Sequence, residues 1–195
     1  MHIVLASQSP SRQAILRAAG VEPVVHPAHV DEEALAAGID APADYVATLA
    51  RAKAAAVAPL YPEDVVIGAD SMLLLDGHLL GKPHTREVTV ERWRKQAGRQ
   101  AELLTGHAVV CGDEWFIDVG TTTIRFASAS EADIEAYAAT GEPLECAGAF
   151  TLEALGGWFI DSIDGDPSGV IGLSLPVVRR ALYSFGFTVS QFWSP

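Results

Sequence analysis

Residues 65–71, Val-Val-Ile-Gly-Ala-Asp-Ser, carry five small or apolar side chains straight into a carboxylate. The Pro62-Glu63-Asp64 turn before them and the Asp76-Gly77 hairpin signal after them bound a strand of the fully buried kind found inside α/β sheets. Chemistry in such sheets gathers just outside the carboxyl ends of strands. Asp70, at that end, is therefore the first candidate for a catalytic or metal-binding group. A turn cap is the competing reading, because Asp before Ser or Gly commonly caps a turn with its own side chain.

Outward from this run, strands and helices interleave. His2 to Ala6 reads as a strand that hands over at Ser7 to Arg12 to a helix, with Ser9 as N-cap, Pro10 in the first helical position and Gly20 as the stop. A short strand at Val24-Val25 and an acidic cluster at Asp31-Glu32-Glu33 follow. Residues 43–57, introduced by Asp40 and Pro42 and rich in Ala, form the next helix. Val46, Leu49, Ala50, Lys53 and Val57 share its core-facing stripe. Lys53 either snorkels out of that stripe or points its ammonium at an anionic ligand in a cleft.

Met72–Leu75 and His78–Leu80 flank Asp76-Gly77 as a hairpin, and Lys82 follows in a Gly81-Lys82-Pro83 turn. Helices are expected at 86–96, at 131–139 behind the N-cap Ser130, and near 176–185. Strands are expected at 103–111, 115–126 and 158–161, and a loop at 165–169. Frequent hairpins among the alternating elements predict an α/β fold with a mixed, twisted sheet and flanking helices.

The 195 residues suffice for one large domain or two small lobes, and no linker-like stretch divides them, so residues 1–195 are read as a single domain. No apolar run approaches the roughly 18 residues that cross a bilayer. Met1 to Ala6 lacks the charged start and the core length of a signal peptide, which points to a soluble cytoplasmic protein without membrane attachment. Cys111 and Cys146 form no CxxC and read as ordinary reduced thiols. A net charge of −12 argues against stable nucleic-acid binding. It leaves room for a small phosphorylated ligand, provided that local cations and a divalent metal reconcile the charges.

The Ser7-to-Arg12 turn has the ingredients of an anion site: outward N–H groups at a helix start, a hydroxyl, and a guanidinium able to fork onto phosphate. It lacks the glycines and the Gly-Lys-Ser/Thr ending of a P-loop. With Lys53, Asp70 and Lys82 it makes four elements pointing at one chemistry. Six segments carry a specific likeness: LASQSPSR at 5–12, RAKA at 51–54, IGADS at 67–71, LGKP at 80–83, TGEPLECAGAF at 140–150 and GVIGLSLP at 169–176. In order and spacing they resemble the Maf family of nucleoside triphosphate pyrophosphatases, from Leu5 to about Phe185.

That resemblance implies two lobes around a nucleotide cleft, in the ITPase-like manner. It implies an enzyme that hydrolyses nucleoside triphosphates, including non-canonical or modified ones, between the α and β phosphates. The products are monophosphate and pyrophosphate, the cofactor is divalent Mg or Mn, the role is house-cleaning of the nucleotide pool, and the assembly is a homodimer. By position, Asp70 resembles the family's catalytic proton acceptor, and Ser7, Arg12, Lys53 and Lys82 its phosphate-contacting residues. Glu32 is similar to the acidic partner of Asp70 near the metal. Phosphoryl transfer needs charge compensation and positioning more than covalent chemistry, which suits this set.

Three positions depart from the family pattern. Ser11 stands where many members have a second arginine, Ser71 where many have threonine, and Glu153 where the thymidine- and uridine-triphosphate branch carries glutamine. All three are associated with base selection in the family. Glu153 and Cys146-Ala147-Gly148 look closer to the branch that acts on 7-methylguanosine triphosphate, and a carboxylate can pair with a guanine edge. Gly169 stands where an asparagine is frequent.

Other clusters read blandly. Pro27 interrupts His26, His29 and Asp31, which read as surface loop. Asp161, Asp164 and Asp166 lack the calcium-loop spacing and read as solvated turn residues. Trp158-Phe159 reads as core or dimer contact. A phosphatase with Asp70 as covalent nucleophile fits poorly, because the companion aspartate two residues on is Met72. A non-catalytic nucleotide-binding regulator of cell division is the alternative outside enzymology.

Overall fold

In the computed structural model, residues 1–194 are described. The first strand, β1 (Ile3–Leu5), is wholly buried and pairs in parallel with β2 (Val24–Val25) on one side and β3 (Val65–Leu75) on the other, with Leu5 opposite Ile67. With β4 (His78–Leu80), β5 (Gln100–Cys111), β6 (Glu114–Phe126) and β7 (Ile160–Asp164), these make a seven-stranded sheet of order β2-β1-β3-β5-β6-β7, with β4 on β3. Parallel β1–β3 beside antiparallel β3–β4 and β6–β7 pairs make it mixed, as the alternation of hairpins and helices predicts.

β3 does not end at Asp70. It continues to Leu75, because Leu73 and Leu75 are buried while Met72 and Leu74 are half-buried, an alternation that is itself a strand pattern. Leu73 pairs with Leu80 and Leu75 with His78 across the turn. The break comes only at Asp76-Gly77, both at positive φ (51° and 79°), as a tight two-residue hairpin requires. Asp70 is thus a mid-strand carboxylate and caps no turn.

The chain divides into two compact units: residues 1–70, 105–120 and 172 onward, and residues 71–104 with 121–171. In the first unit, α1 (Pro10–Ala18) is capped by Ser9, whose hydroxyl accepts from the Arg12 amide, and it stops before Gly20 at φ 83°. Asp31 caps a short α2 (Glu32–Ala36), which explains that residue without a metal; the sequence pattern gave no sign of so short a helix. The long α3 (Pro42–Val57) buries Val46, Leu49, Ala50, Ala54 and Val57. It lies against strand backbone: a Cβ on Gly68 would stand 2.2 Å from the Ala50 carbonyl oxygen, and one on Gly106 2.4 Å from that of Val46. Glycine at these strand positions permits the close approach.

The second unit contains α4 (Arg86–Gln96), α5 (Glu131–Ala139) and most of the aromatic core. Trp93 is fully buried, meets Phe126, Tyr137 and Phe159 edge-on at 5.5–5.6 Å, and donates its indole N–H to the Ala149 carbonyl at 2.7 Å. Phe159 is therefore core, whereas Trp158 beside it is 84 % exposed. A 3-10 turn at Leu155–Phe159 displaces β7 from the 158–161 stretch expected for it, so Asp161 and Asp164 are strand residues. The stretch read as a loop at 165–169 contains a short α6 (Pro167–Ile171), because Asp166 accepts from the Ser168 and Gly169 amides and starts a helical turn. The last helix of the first unit is α7 (Leu175–Ser184), capped by Ser174. No helix among the described residues is long and apolar enough to cross a membrane. Cys111 and Cys146 are both free thiols, as expected.

Candidate active site

The first unit gathers five of the residues picked out by sequence. Lys53 leaves the buried stripe of α3 and donates to Asp70 Oδ1 at 2.7 Å, with Glu32 Oε1 on its other side at 2.9 Å. The side chains of Lys53 and Asp70 are only 12 % and 9 % exposed, while that of Glu32 is 51 % exposed. The ammonium thus neither snorkels nor waits bare for a ligand. It sits between two of the chain's own carboxylates, compensating the cost of burying Asp70.

Arg12 in the first turn of α1 braces the same place. Its Nε donates to the Gly172 carbonyl at 2.8 Å, and one terminal nitrogen donates to the Ala69 carbonyl at 2.9 Å and to Ser7 Oγ at 3.2 Å. Ser7 Oγ also accepts from the Ser9 amide at 3.2 Å. A half-buried guanidinium therefore ties the β1–α1 turn to the strand one residue before Asp70. Burial pushes its pKa down while Asp70 and Glu32 push it back up; a guanidinium remains charged in either case. Ser11 is half-buried one residue before it.

Sequence reasoning missed Tyr45. Burial, then the negative charges of Asp70 and Glu32, raise its phenol pKa and keep it protonated. Its spacing of four from Leu49, and of four again to Lys53, placed it on the same side of the helix and was the available signal.

Among the described residues no group of three or more His, Cys, Asp and Glu side chains is assembled for a metal. Glu32 and Asp70 nevertheless fit a divalent ion. They offer hard carboxylate oxygens, and Asp70 Oδ2 is buried with no hydrogen-bond partner among the described residues. Magnesium is commonly held by one or two protein carboxylates together with substrate phosphates.

Lys82, Ser71 and Glu153 belong to the second unit. Lys82 pairs with Glu145 Oε2 at 3.1 Å, and His84 Nδ1 lies 3.1 Å from the other oxygen of Glu145. Hydrogen bonds from Lys82 and His84 hold the Glu145 carboxyl below its usual range. Arg92, which sequence reading also missed, donates to the Gly81 carbonyl, and the Gly148 amide donates to the same oxygen at 3.2 Å. The turn bearing Lys82 is thereby fixed from two sides. Glu153 is exposed, with Oε2 accepting from the Leu152 amide at 3.1 Å. Ser71 follows Asp70 in β3 and is half-buried.

The chain matches the family described as Maf-like protein over residues 2–185. It belongs to the Maf family. A Corynebacterium aurimucosum protein named nucleoside triphosphate pyrophosphatase is 71 % identical over 197 residues, covering 100 % of this chain and 99 % of its own length. A Corynebacterium efficiens protein of the same name is 68 % identical over 196 residues and covers both chains completely. Among solved structures, the Ham1 protein of Staphylococcus aureus is similar at 20 % identity and a TM-score of 0.43, covering 66 % of this chain and 73 % of that one. Membership of the Maf family accounts for the order of the six segments from Leu5 onward.

Proposed function

We propose that this Maf protein is a nucleoside triphosphate pyrophosphatase. It cleaves between the α and β phosphates to release a nucleoside monophosphate and pyrophosphate, uses Mg or Mn, and works as a cytoplasmic homodimer that clears unwanted nucleotides. The names of relatives 71 % and 68 % identical over the whole chain support the activity. One structural observation carries the chemistry: a buried carboxylate whose Oδ1 is held by Lys53 and whose Oδ2 has no hydrogen-bond partner among the described residues.

In this reading Lys53 fixes the orientation of Asp70 through Oδ1, and the Asp70 carboxylate takes the proton of the water that attacks the α-phosphorus as the phosphorus–oxygen bond to the leaving pyrophosphate breaks. Arg12, tied to Ala69 and Gly172, keeps the β1–α1 turn in register with Asp70. Ser7 and the N–H groups opening α1 face the phosphates, as helix starts do for anions. The likeness of RAKA and LGKP to the family's segments supports phosphate contacts for Lys53 and Lys82 as well. Glu32 and Asp70 would hold the divalent ion, which when bound supplies positive charge to offset the triphosphate. Glu153 selects the base, with a guanine edge the best match to a carboxylate, and Ser11 and Ser71 are the further selecting positions.

Incubation with a panel of canonical and modified triphosphates and Mg or Mn tests the proposal. Equal yields of monophosphate and pyrophosphate are expected. Diphosphate with single phosphate would overturn it.

A further inference from the structure

Glu142, in the Gly-Glu-Pro step after α5, receives four hydrogen bonds on one carboxylate. Oε1 accepts from Thr151 Oγ1 at 2.6 Å, the Gly156 amide at 2.9 Å and the Tyr137 hydroxyl at 3.1 Å, and Oε2 accepts from the Leu155 amide at 3.1 Å. Backbone amides can only donate, so the group that meets this ring of donors must be an acceptor on both atoms. A carboxylate satisfies that demand and a carboxamide does not.

The bonds grip both ends of the arc from Thr151 to Gly156. Within the arc the backbone folds close upon itself: a Cβ on Gly156 would stand 2.5 Å from the Thr151 carbonyl oxygen and 2.6 Å from the Tyr137 hydroxyl. The only charged side chain between the two held ends is Glu153. At its other end the brace is rigid, since the Tyr137 ring is buried and packs on Trp93 and Phe159. Position is thus transmitted from the aromatic core through Tyr137 and Glu142 to the exposed arc that carries Glu153.

We propose that Glu142 is a positioning residue for nucleotide selection, holding the 151–156 arc in the shape that presents Glu153 to the base. This rests on the pyrophosphatase reading and on Glu153 as its selecting group. Glu142 itself touches no substrate. Its effect falls on KM and on the ratio between bases, and it leaves the chemical step to other groups.

The test compares pyrophosphate release from GTP and TTP by the full-length wild type, Glu142→Gln, Glu153→Gln and the double variant, with amide hydrogen exchange at Leu155 and Gly156. Glu142→Gln is expected to speed exchange at these amides. It should raise KM for the preferred nucleotide about tenfold, equivalent to about 1.4 kcal/mol, and narrow the GTP-to-TTP ratio. Its kcat should stay within about threefold of wild type. The double variant should match Glu153→Gln. Thr151→Val, which removes one donor and keeps the carboxylate, gives a smaller change of the same kind and serves if Glu142→Gln does not fold. Unchanged selectivity despite faster exchange, unchanged exchange, strictly additive effects, or a wild type that does not distinguish the two nucleotides would each overturn the inference. A wild type that releases no pyrophosphate from any triphosphate is a separate outcome and overturns the activity itself.

Discussion

Lys53 donates to Asp70 Oδ1 at 2.7 Å, both groups largely withdrawn from water. A buried pair is costly to break, because removing one partner strands the other without compensation. Lys53→Met is expected to lower stability by about 3 kcal/mol. It should also reduce kcat/KM at least about a hundredfold, because Asp70 loses its orientation and the phosphates lose a cation. Lys53→Met combined with Asp70→Leu should recover much of the stability and none of the activity. Urea denaturation of the three proteins measures the first effect, and pyrophosphate release the second. A double variant as unstable as Lys53→Met would show that the pair is not what is being broken.

Asp70→Asn keeps the size of the side chain and an oxygen for the Lys53 ammonium, but loses the ability to take a proton. Turnover should fall about a thousandfold, while nucleotide affinity stays within about tenfold, or about 1.4 kcal/mol. Single-turnover kinetics and calorimetric titration with a nucleotide separate the two. Full biological activity of an inactive Asp70→Asn protein would point instead to a nucleotide-binding regulator.

Lys53 reaches Asp70 only because α3 lies directly on the strands beneath it. A methyl group at Gly68 would meet the Ala50 carbonyl at 2.2 Å and the Ala54 amide nitrogen at 2.7 Å, backbone atoms of the same helix on either side of Lys53. Gly68→Ala should therefore cost about 1–3 kcal/mol through overpacking and reduce turnover by moving the helix. Gly120→Ala is the control, since its nearest neighbours would be at an ordinary 3.9 Å; its effect should stay within about 0.5 kcal/mol. Equal losses at the two glycines would contradict the packing argument.

Much of this arrangement is written in local pattern. The hairpin at Asp76-Gly77, the caps at Ser9 and Ser130, and the long α3 follow from turn chemistry and apolar period, which act over a few residues. Asp70, Lys53 and Arg12 could be singled out because each breaks such a pattern or opens a helix. Their partners could not. That Lys53 would sit between Glu32 and Asp70, or Arg12 on the carbonyls of Ala69 and Gly172, depends on contacts spanning as many as 160 residues. The end of β3 was misplaced because a charged residue in a buried run reads as a terminus, when here a lysine from a neighbouring helix makes it tolerable in mid-strand. Short helices at 32–36 and 167–171 escape periodicity altogether, being little more than one capped turn each. Glu142 enters the sequence reading only as one letter of the 140–150 segment, since its four donors come from α5 and from a segment that begins nine residues later.

Glu142 also gives the protein a pH dependence whose sign can be worked out. Partial burial pushes its carboxyl up, but the hydrogen bonds from Thr151, the Gly156 and Leu155 amides and Tyr137 outweigh that and hold it below the ordinary glutamate value. A carboxyl depressed in the folded state binds its proton more readily when unfolded. Its contribution to stability is therefore complete above the ordinary glutamate range and is lost as pH falls through that range to the lower folded value. The nearby thiol and phenol lie outside this window, since burial pushes the Cys146 thiol up to about 11 and raises the Tyr137 phenol as well; Glu145, whose carboxyl is also held low, is common to wild type and variant. The stability difference between wild type and Glu142→Gln should thus be full at neutral pH and shrink on the acid side of the ordinary glutamate value. Urea denaturation of both proteins at neutral pH and in steps down to about pH 3 measures it. A difference that stays constant across the series would mean that the carboxylate's charge is not what the four donors hold.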